Sequence, residues 1–115
     1  PEEIPGTHSV RKGAGTWSSI APGVEVKLLH VDHLVGTRSV LLRFAPGARY
    51  PAHRHVGNEE CMVLDGEIVI GGVRFTAGDY HVAPKGVPHD TITSPAGGLI
   101  FIRGPLDEHP AITPL

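Results

Sequence analysis

Glycine and proline interrupt this chain so often that long helices have little room. The 115 residues include 15 Gly and 11 Pro, and residues 24–35 are the only run longer than ten that contains neither. Its apolar residues fit two patterns. Val24, Val26 and Leu28 alternate as in a strand, whereas Leu28, Val31 and Leu34 have the three-residue spacing of a helix. We interpret it as a strand, because turn residues bracket it and its start is β-branched.

Short strands separated by turn signals are predicted along the rest of the chain. The candidate strands are residues 8–11, 37–44, 59–64, 67–70, 73–76, 80–83, 89–93 and 99–103. Asp65-Gly66 and Gly71-Gly72 are predicted to be hairpin turns, since Asp-Gly and Gly-Gly between apolar runs favour them. About eight to ten strands at this spacing predict an all-β single domain, a sandwich or a barrel of the jelly-roll kind.

Charge, hydropathy and cysteine content exclude several classes of protein. The net charge is −2 with no basic run, so we expect no nucleic-acid partner. No apolar stretch approaches the ~20 residues of a membrane span, and the start of the chain lacks a signal-peptide pattern. We therefore expect a cytoplasmic protein with no membrane partner. A single cysteine, Cys61, excludes an intrachain disulfide and a cysteine-based zinc finger.

Residues 47–59, G-A-R-Y-P-A-H-R-H-V-G-N-E, hold the candidate metal ligands. On an extended backbone His53 and His55 project to the same side, about 6–7 Å apart at the backbone. Two imidazoles at that separation can bind one divalent ion, with Glu59 as an oxygen ligand and His89 as a third nitrogen. The pair alone is weak support, because eight histidines in the chain make chance pairs of surface histidines common.

Two longer motifs give the histidine pair its context, and through them the chain resembles the cupin superfamily. The first motif, G-x5-H-x-H-x3,4-E-x6-G, is matched by Gly47, His53, His55, Glu59 and Gly66. The second, G-x5-P-x-G-x2-H-x3-N, is matched by Gly78, Pro84, Gly86 and His89, with Thr93 in place of the final Asn. The resemblance implies a cupin jelly-roll β-barrel, also described as a double-stranded β-helix.

The same resemblance implies one divalent metal ion per chain, bound by His53, His55, Glu59 and His89. Glu60 is the rival carboxylate, but Glu59 keeps the six-residue gap to Gly66 that the motif requires. Fe²⁺ is favoured if the protein is an enzyme, and Zn²⁺, Mn²⁺ or Ni²⁺ also suit imidazole-rich sites.

More narrowly, residues 23–59 resemble the ChrR-type cupins and the small acetylacetone-cleaving dioxygenases related to them. The resemblance implies a mononuclear metal-dependent dioxygenase acting on a small, diketone-like molecule. The alternative is a non-enzymatic regulatory cupin that senses a metal or a ligand. A homodimer is expected in either case. We expect an N-terminal arm at residues 1–16, the barrel at 17–104 and a tail at 105–115.

Several other polar residues are weaker candidates for a functional site. Arg43 and Arg103 fit solvated strand positions better than a role in holding an anionic substrate. His81 is expected outside the barrel, and Cys61 is expected to be a buried, inert thiol. Packing or rim positions are expected for the aromatic residues Trp17, Tyr50 and Tyr80.

Overall fold

The computed structural model describes residues 4–54 and 56–106, except for the side chains of His53, Arg54 and His89. All the secondary-structure elements in these residues are β-strands. None of the described segments forms a helix long and apolar enough to span a membrane. The strands are β1 (Trp17–Ala21), β2 (Val24–Asp32), β3 (Thr37–Phe44), β4 (Ala48–Tyr50), β5 (His53–Arg54), β6 (Glu59–Ile70), β7 (Val73–Thr76), β8 (Tyr80–Ala83), β9 (Pro88–His89), β10 (Ile92–Ser94) and β11 (Gly98–Pro105).

Strand β6 is the centre of the fold. Nine strands form one antiparallel sheet in the order β1-β2-β3-β11-β6-β10-β4, and β7 and β8 also pair with β6. The first part of β6 pairs with β11 and β8, whereas the last part pairs with β7 and β10. Because β6 takes part in both sets of pairings, the sheet curls into a nearly closed barrel. The predicted all-β jelly-roll architecture is therefore confirmed.

The hairpin predicted at Asp65-Gly66 is wrong, because β6 continues through both residues. Gly66 has a φ of +69°, and a Cβ there would overlap the carbonyl oxygen of Gly97, just before the neighbouring strand β11. The pairing with β11 shifts register next to this point, between Leu99 and Ile100. The glycine therefore bends a continuous strand at a bulge instead of reversing it. The second predicted hairpin, at Gly71-Gly72, is present between β6 and β7.

Other element boundaries differ from the predicted ones in understandable ways. Strand β2 ends at Asp32, whose carboxylate accepts the backbone N–H groups of Leu34 and Val35 and so starts a turn. The structure has no strand at residues 8–11. It has an unpredicted strand, β1, which pairs with β2. The single strand predicted at residues 89–93 is split into β9 and β10.

The core lies inside the barrel and uses alternate residues of each strand. On β3 the inward positions are Arg38, Val40, Leu42 and Phe44, all buried. The other buried apolar residues of the cluster are Val24, Val26, Ala48, Cys61, Val63, Ile68, Ile70, Ile92, Ile100 and Ile102. Fully burying a large aliphatic side chain contributes about 1.5–3 kcal/mol. Polar side chains interrupt this interior at one end of the barrel, at Arg38 and Glu59.

Candidate metal centre

The short ribbon of β5 and β9 brings two predicted ligand positions together. The strands are antiparallel, with His53 directly opposite His89 and Arg54 opposite Pro88. Directly opposed residues in such a pair have Cα atoms about 4.5–5.5 Å apart. Histidines from the two separate motifs thus become backbone neighbours. His55, the other predicted histidine ligand, lies outside the described residues.

Glu59 is the first residue of β6, and it is only 3% exposed. Strand alternation puts it on the inward face with Cys61 and Val63, both buried. Glu60 lies on the opposite face, where its Oε1 accepts a 2.8 Å hydrogen bond from the Tyr80 hydroxyl. The inward carboxylate of the pair is therefore Glu59. Its assignment as a metal ligand stays a prediction.

Cys61 is next to Glu59 on the inward face and has the properties of an inert thiol. Burial raises the pKa of this thiol to about 12, and the nearby Glu59 carboxylate contributes in the same direction. A thiol with this pKa is protonated at neutral pH and is a poor nucleophile. The expectation that Cys61 is a buried, inert thiol agrees with this environment.

Arg38 is an inward residue that the sequence analysis missed. It is 1% exposed on β3, opposite Gly104 of β11. On its other side β11 pairs with the start of β6, with Arg103 opposite Glu60. Arg38 and Glu59 therefore lie on the inward face at the same end of the barrel, with the side-chain-free Gly104 on the strand between them. The available signal was the alternation of Arg38 with Val40 and Leu42.

His81 also lies on the inward side of its strand, and not outside the barrel as expected. It is paired opposite Cys61 and is partly buried. Its ring centre is 5.1 Å from that of Phe75, which packs against the core. Residues directly opposite across two strands share a face of the sheet. The sequence motif gave no information on His81, but the β6–β8 register does.

The remaining candidates lie away from the inward face or serve in packing. Arg43 and Arg103 are exposed, and Arg43 is paired with Glu25 on the outer surface. Tyr50 is partly buried against the core, whereas Tyr80 is half exposed. Trp17 packs under the Arg43 guanidinium, whose carbon is 4.0 Å from the ring centre.

The ligand set predicted from the sequence, three imidazoles and one carboxylate, is chemically suited to a divalent cation. Neutral imidazoles and one carboxylate are suitable ligands for zinc, iron or manganese. The β5–β9 register makes His53 and His89 backbone neighbours, and Glu59 is buried on the inward face of β6. Within the described side chains, no three His, Cys, Asp or Glu residues form a metal-binding group. The side chains of the three proposed histidine ligands, His53, His55 and His89, are not among those that the structure describes.

The chain matches a family of known domains over nearly its whole length. Residues 6–106 match the family model described as the ChrR cupin-like domain. Among curated proteins, the chain is similar to germin-like protein subfamily 1 member 5 of Arabidopsis thaliana. The two are 30% identical over 91 residues, which cover 73% of this chain and 41% of that protein. The chain thus spans about two-fifths of the length of this relative.

Solved structures with the same barrel include proteins described as enzymes and as regulators. An RmlC-like cupin from Shewanella frigidimarina has a TM-score of 0.76 and 26% identity, covering 89% of this chain and 94% of that one. A putative acetylacetone dioxygenase from Methylibium petroleiphilum has a TM-score of 0.78 and 20% identity, covering 90% and 80%. The anti-sigma factor ChrR of Rhodobacter sphaeroides, solved with SigE, has a TM-score of 0.71 and 25% identity, covering 82% and 50%.

Proposed function

This chain belongs to the ChrR cupin-like domain family, and from that premise we propose that it is a metal-binding cupin acting as a mononuclear dioxygenase. The substrate class we propose is a small oxygenated, diketone-like molecule. One observation carries the proposal: the β5–β9 register puts His53 opposite His89 at a barrel whose inward face bears the buried carboxylate of Glu59.

We assign His53, His55, Glu59 and His89 as the residues that would hold the cation. An ion bound there would supply Lewis-acid chemistry, and iron would add electron transfer to dioxygen. The single carboxylate of the set leaves a divalent site with a net charge of about +1. That residual charge favours an anionic or enolised substrate over a neutral one.

The protein's own inward residues suit such a substrate. The Arg38 guanidinium presents N–H donors that recognise carboxylate or enolate oxygens. The imidazole of His81 can accept the proton that an enolisable carbon loses.

Oxygen consumption tests the enzymatic proposal. Protein loaded with Fe²⁺ under anaerobic conditions is mixed with oxygen and pentane-2,4-dione or related 1,3-diketones in an oxygen electrode. We expect steady, substrate-dependent uptake that falls at least tenfold in His81→Gln. The exposed His30 gives the matched control, His30→Gln, which should retain full activity. An iron-loaded protein inert to every diketone and enolisable acid would contradict the assignment.

A regulatory cupin is the second candidate, because the chain matches half the length of the anti-sigma factor ChrR at 25% identity. In that case the site would hold zinc tightly and have no turnover, and metal binding would alter contacts with a protein partner. Two results together would favour this function over the oxygenase. Oxygen uptake would be the same with and without substrate, and a partner protein would bind only the zinc-loaded form.

A further inference from the structure

We propose that a cleft on the outer surface of the barrel is a second binding site, for a small amphipathic organic anion such as an alkyl carboxylate. The cleft has a volume of about 840 Å³ and lies between residues 10–12 of the N-terminal arm and the outer face of β1, β2, β3 and β11. Its volume is within the range of small-molecule sites. Four observations on its lining carry the proposal.

The first observation is a buried ammonium group in the lining of the cleft, that of Lys27. Lys27 is 2% exposed, and its Nζ donates to the backbone oxygens of Arg11 at 3.1 Å and Lys12 at 3.2 Å. An ammonium group has three N–H donors, so two are accounted for. No carboxylate among the described residues forms an ion pair with it. Burying a charge without a counter-charge is costly, and an anion in the cleft would offset that cost.

The second observation is a second cation, Arg43, held in place beside Trp17 on the same face of the sheet. Arg43 donates from Nε and Nη2 to Glu25 Oε1, at 3.1 and 2.8 Å. Its guanidinium also lies over the Trp17 ring at 4.0 Å. These contacts fix the side chain before a ligand arrives, which reduces the entropy lost on binding.

The third is an excess of positive charge. Even without Arg11, the lining includes three cationic residues, Lys12, Lys27 and Arg43, but only one carboxylate among the described residues, that of Asp65. Glu25 offsets part of the charge of Arg43. The surplus attracts anions and repels cations, and this selects the charge of the ligand.

The fourth is an apolar floor. Leu29, Leu41 and Leu99 line the cleft together with Trp17. The register pairs Lys27 with both Trp17 and Leu41, so the ammonium and this floor share one face of the sheet. A ligand that satisfies both parts of the lining has an anionic head and a short hydrocarbon body.

This site is distinct from the metal centre. Lys27 alternates with Val24 and Val26 along β2, and those valines belong to the core inside the barrel. The cleft is therefore on the opposite face of the sheet from Glu59 and Cys61. Substitution of a metal ligand should leave binding in the cleft unchanged, which separates this proposal from the proposed oxygenase function.

The emission of Trp17, the only tryptophan, reports directly on the cleft. The protein is titrated with decanoate below its micelle concentration, and with decyltrimethylammonium, which has the same alkyl chain and the opposite charge. Isothermal calorimetry on the same samples gives an independent affinity. We expect saturable binding of decanoate, at least tenfold tighter than of the cation. Lys27→Met and Arg43→Gln should each weaken it severalfold, and His89→Ala should leave it unchanged.

Any one of four results would overturn the proposal. Equal responses to the two surfactants would show unspecific apolar contact. No response, or a response that both cleft variants retain and His89→Ala abolishes, would exclude this site. Trp17 emission could also change with protein concentration in parallel with a monomer–dimer equilibrium measured by light scattering. That result would assign the cleft to a second copy of the chain. Arg43 is half exposed, so Arg43→Gln keeps the test valid even if Lys27→Met destabilises the fold.

Discussion

At the residue scale, strand alternation gives two adjacent carboxylates different environments. Glu59 points into the barrel and is buried, whereas Glu60 points outward and binds the Tyr80 hydroxyl. The motif spacing predicted Glu59 as the ligand, and the structure puts it on the inward face. Arg38 and His81 match no position of either motif; alternation with Val40 and Leu42 indicates the inward position of Arg38, whereas that of His81 required the pairing of β6 with β8.

The Tyr80–Glu60 contact predicts a measurable pKa change. The hydrogen bond to the Glu60 carboxylate is the main cause that raises the pKa of the Tyr80 phenol above its ordinary value of about 10. Because the folded-state pKa is raised, this contribution to stability is present below pH ~10 and is lost as the pH rises through the folded pKa. Glu60→Gln should therefore lower the pKa of Tyr80, measured by phenolate absorbance.

Tyr80→Phe identifies which of the two tyrosines gives the shifted absorbance in that titration. An unchanged phenolate curve in Glu60→Gln would show that the carboxylate does not control this phenol.

Cys61 should be almost unreactive in the native protein. A pKa of about 12 leaves on the order of a thousandfold less thiolate at neutral pH than an unperturbed cysteine has, and burial also blocks access. A chromogenic disulfide reagent should therefore modify one thiol per chain rapidly in denaturant and only very slowly without it. Fast modification of the folded protein would contradict the inward position of this side chain.

At the element scale, β6 shows why the sequence predicted the strands better than their connections. Asp65-Gly66 has the composition of a hairpin turn, but its glycine is required by the close approach of Gly97 and Gly98 on a distant segment. Local propensity cannot report a contact between residues so far apart in the chain. At Gly71-Gly72 the same reasoning succeeded, because that turn connects neighbouring strands and needs only positive φ angles.

Two glycine substitutions separate backbone conformation from close approach. Gly66→Ala should lower the free energy of unfolding by about 3–4 kcal/mol, because a positive φ is combined with overlap against backbone. Gly72 also has a positive φ, +79°, but no atom lies within 4 Å of the Cβ that Gly72→Ala would add. Gly72→Ala should therefore lower the free energy of unfolding by only about 1–2 kcal/mol. Urea unfolding of both variants measures the difference. Equal losses would mean that the bend in β6 tolerates a side chain.

At the scale of the whole molecule, one outer sheet face carries a cluster of exposed apolar side chains. Met62, Leu64, Tyr80 and Val82 are 39–51% exposed on neighbouring strands β6 and β8. Exposed apolar side chains that cluster in this way often mark a protein interface. This face supports the proposal that the protein is a homodimer, with a second copy of the chain as the occupant.

Light scattering checks the dimer. The wild-type protein should have twice the mass of one chain, and Met62→Glu should shift it toward the monomer because a charge would be buried at the interface. Val73→Glu is the matched control, since Val73 is also exposed but lies on β7 and should leave the mass unchanged. A monomeric wild-type protein at working concentration would exclude this arrangement.

Metal content is the most direct test of the central proposal. Protein purified without chelator or nickel resin is analysed by elemental mass spectrometry, together with His89→Ala, Glu59→Gln and Glu60→Gln. We predict about one divalent ion per wild-type chain, lost in His89→Ala and Glu59→Gln and retained in Glu60→Gln. A metal-free wild-type protein that also fails to take up added Fe²⁺, Mn²⁺ or Zn²⁺ would contradict the proposal. So would loss of metal in Glu60→Gln with retention in Glu59→Gln.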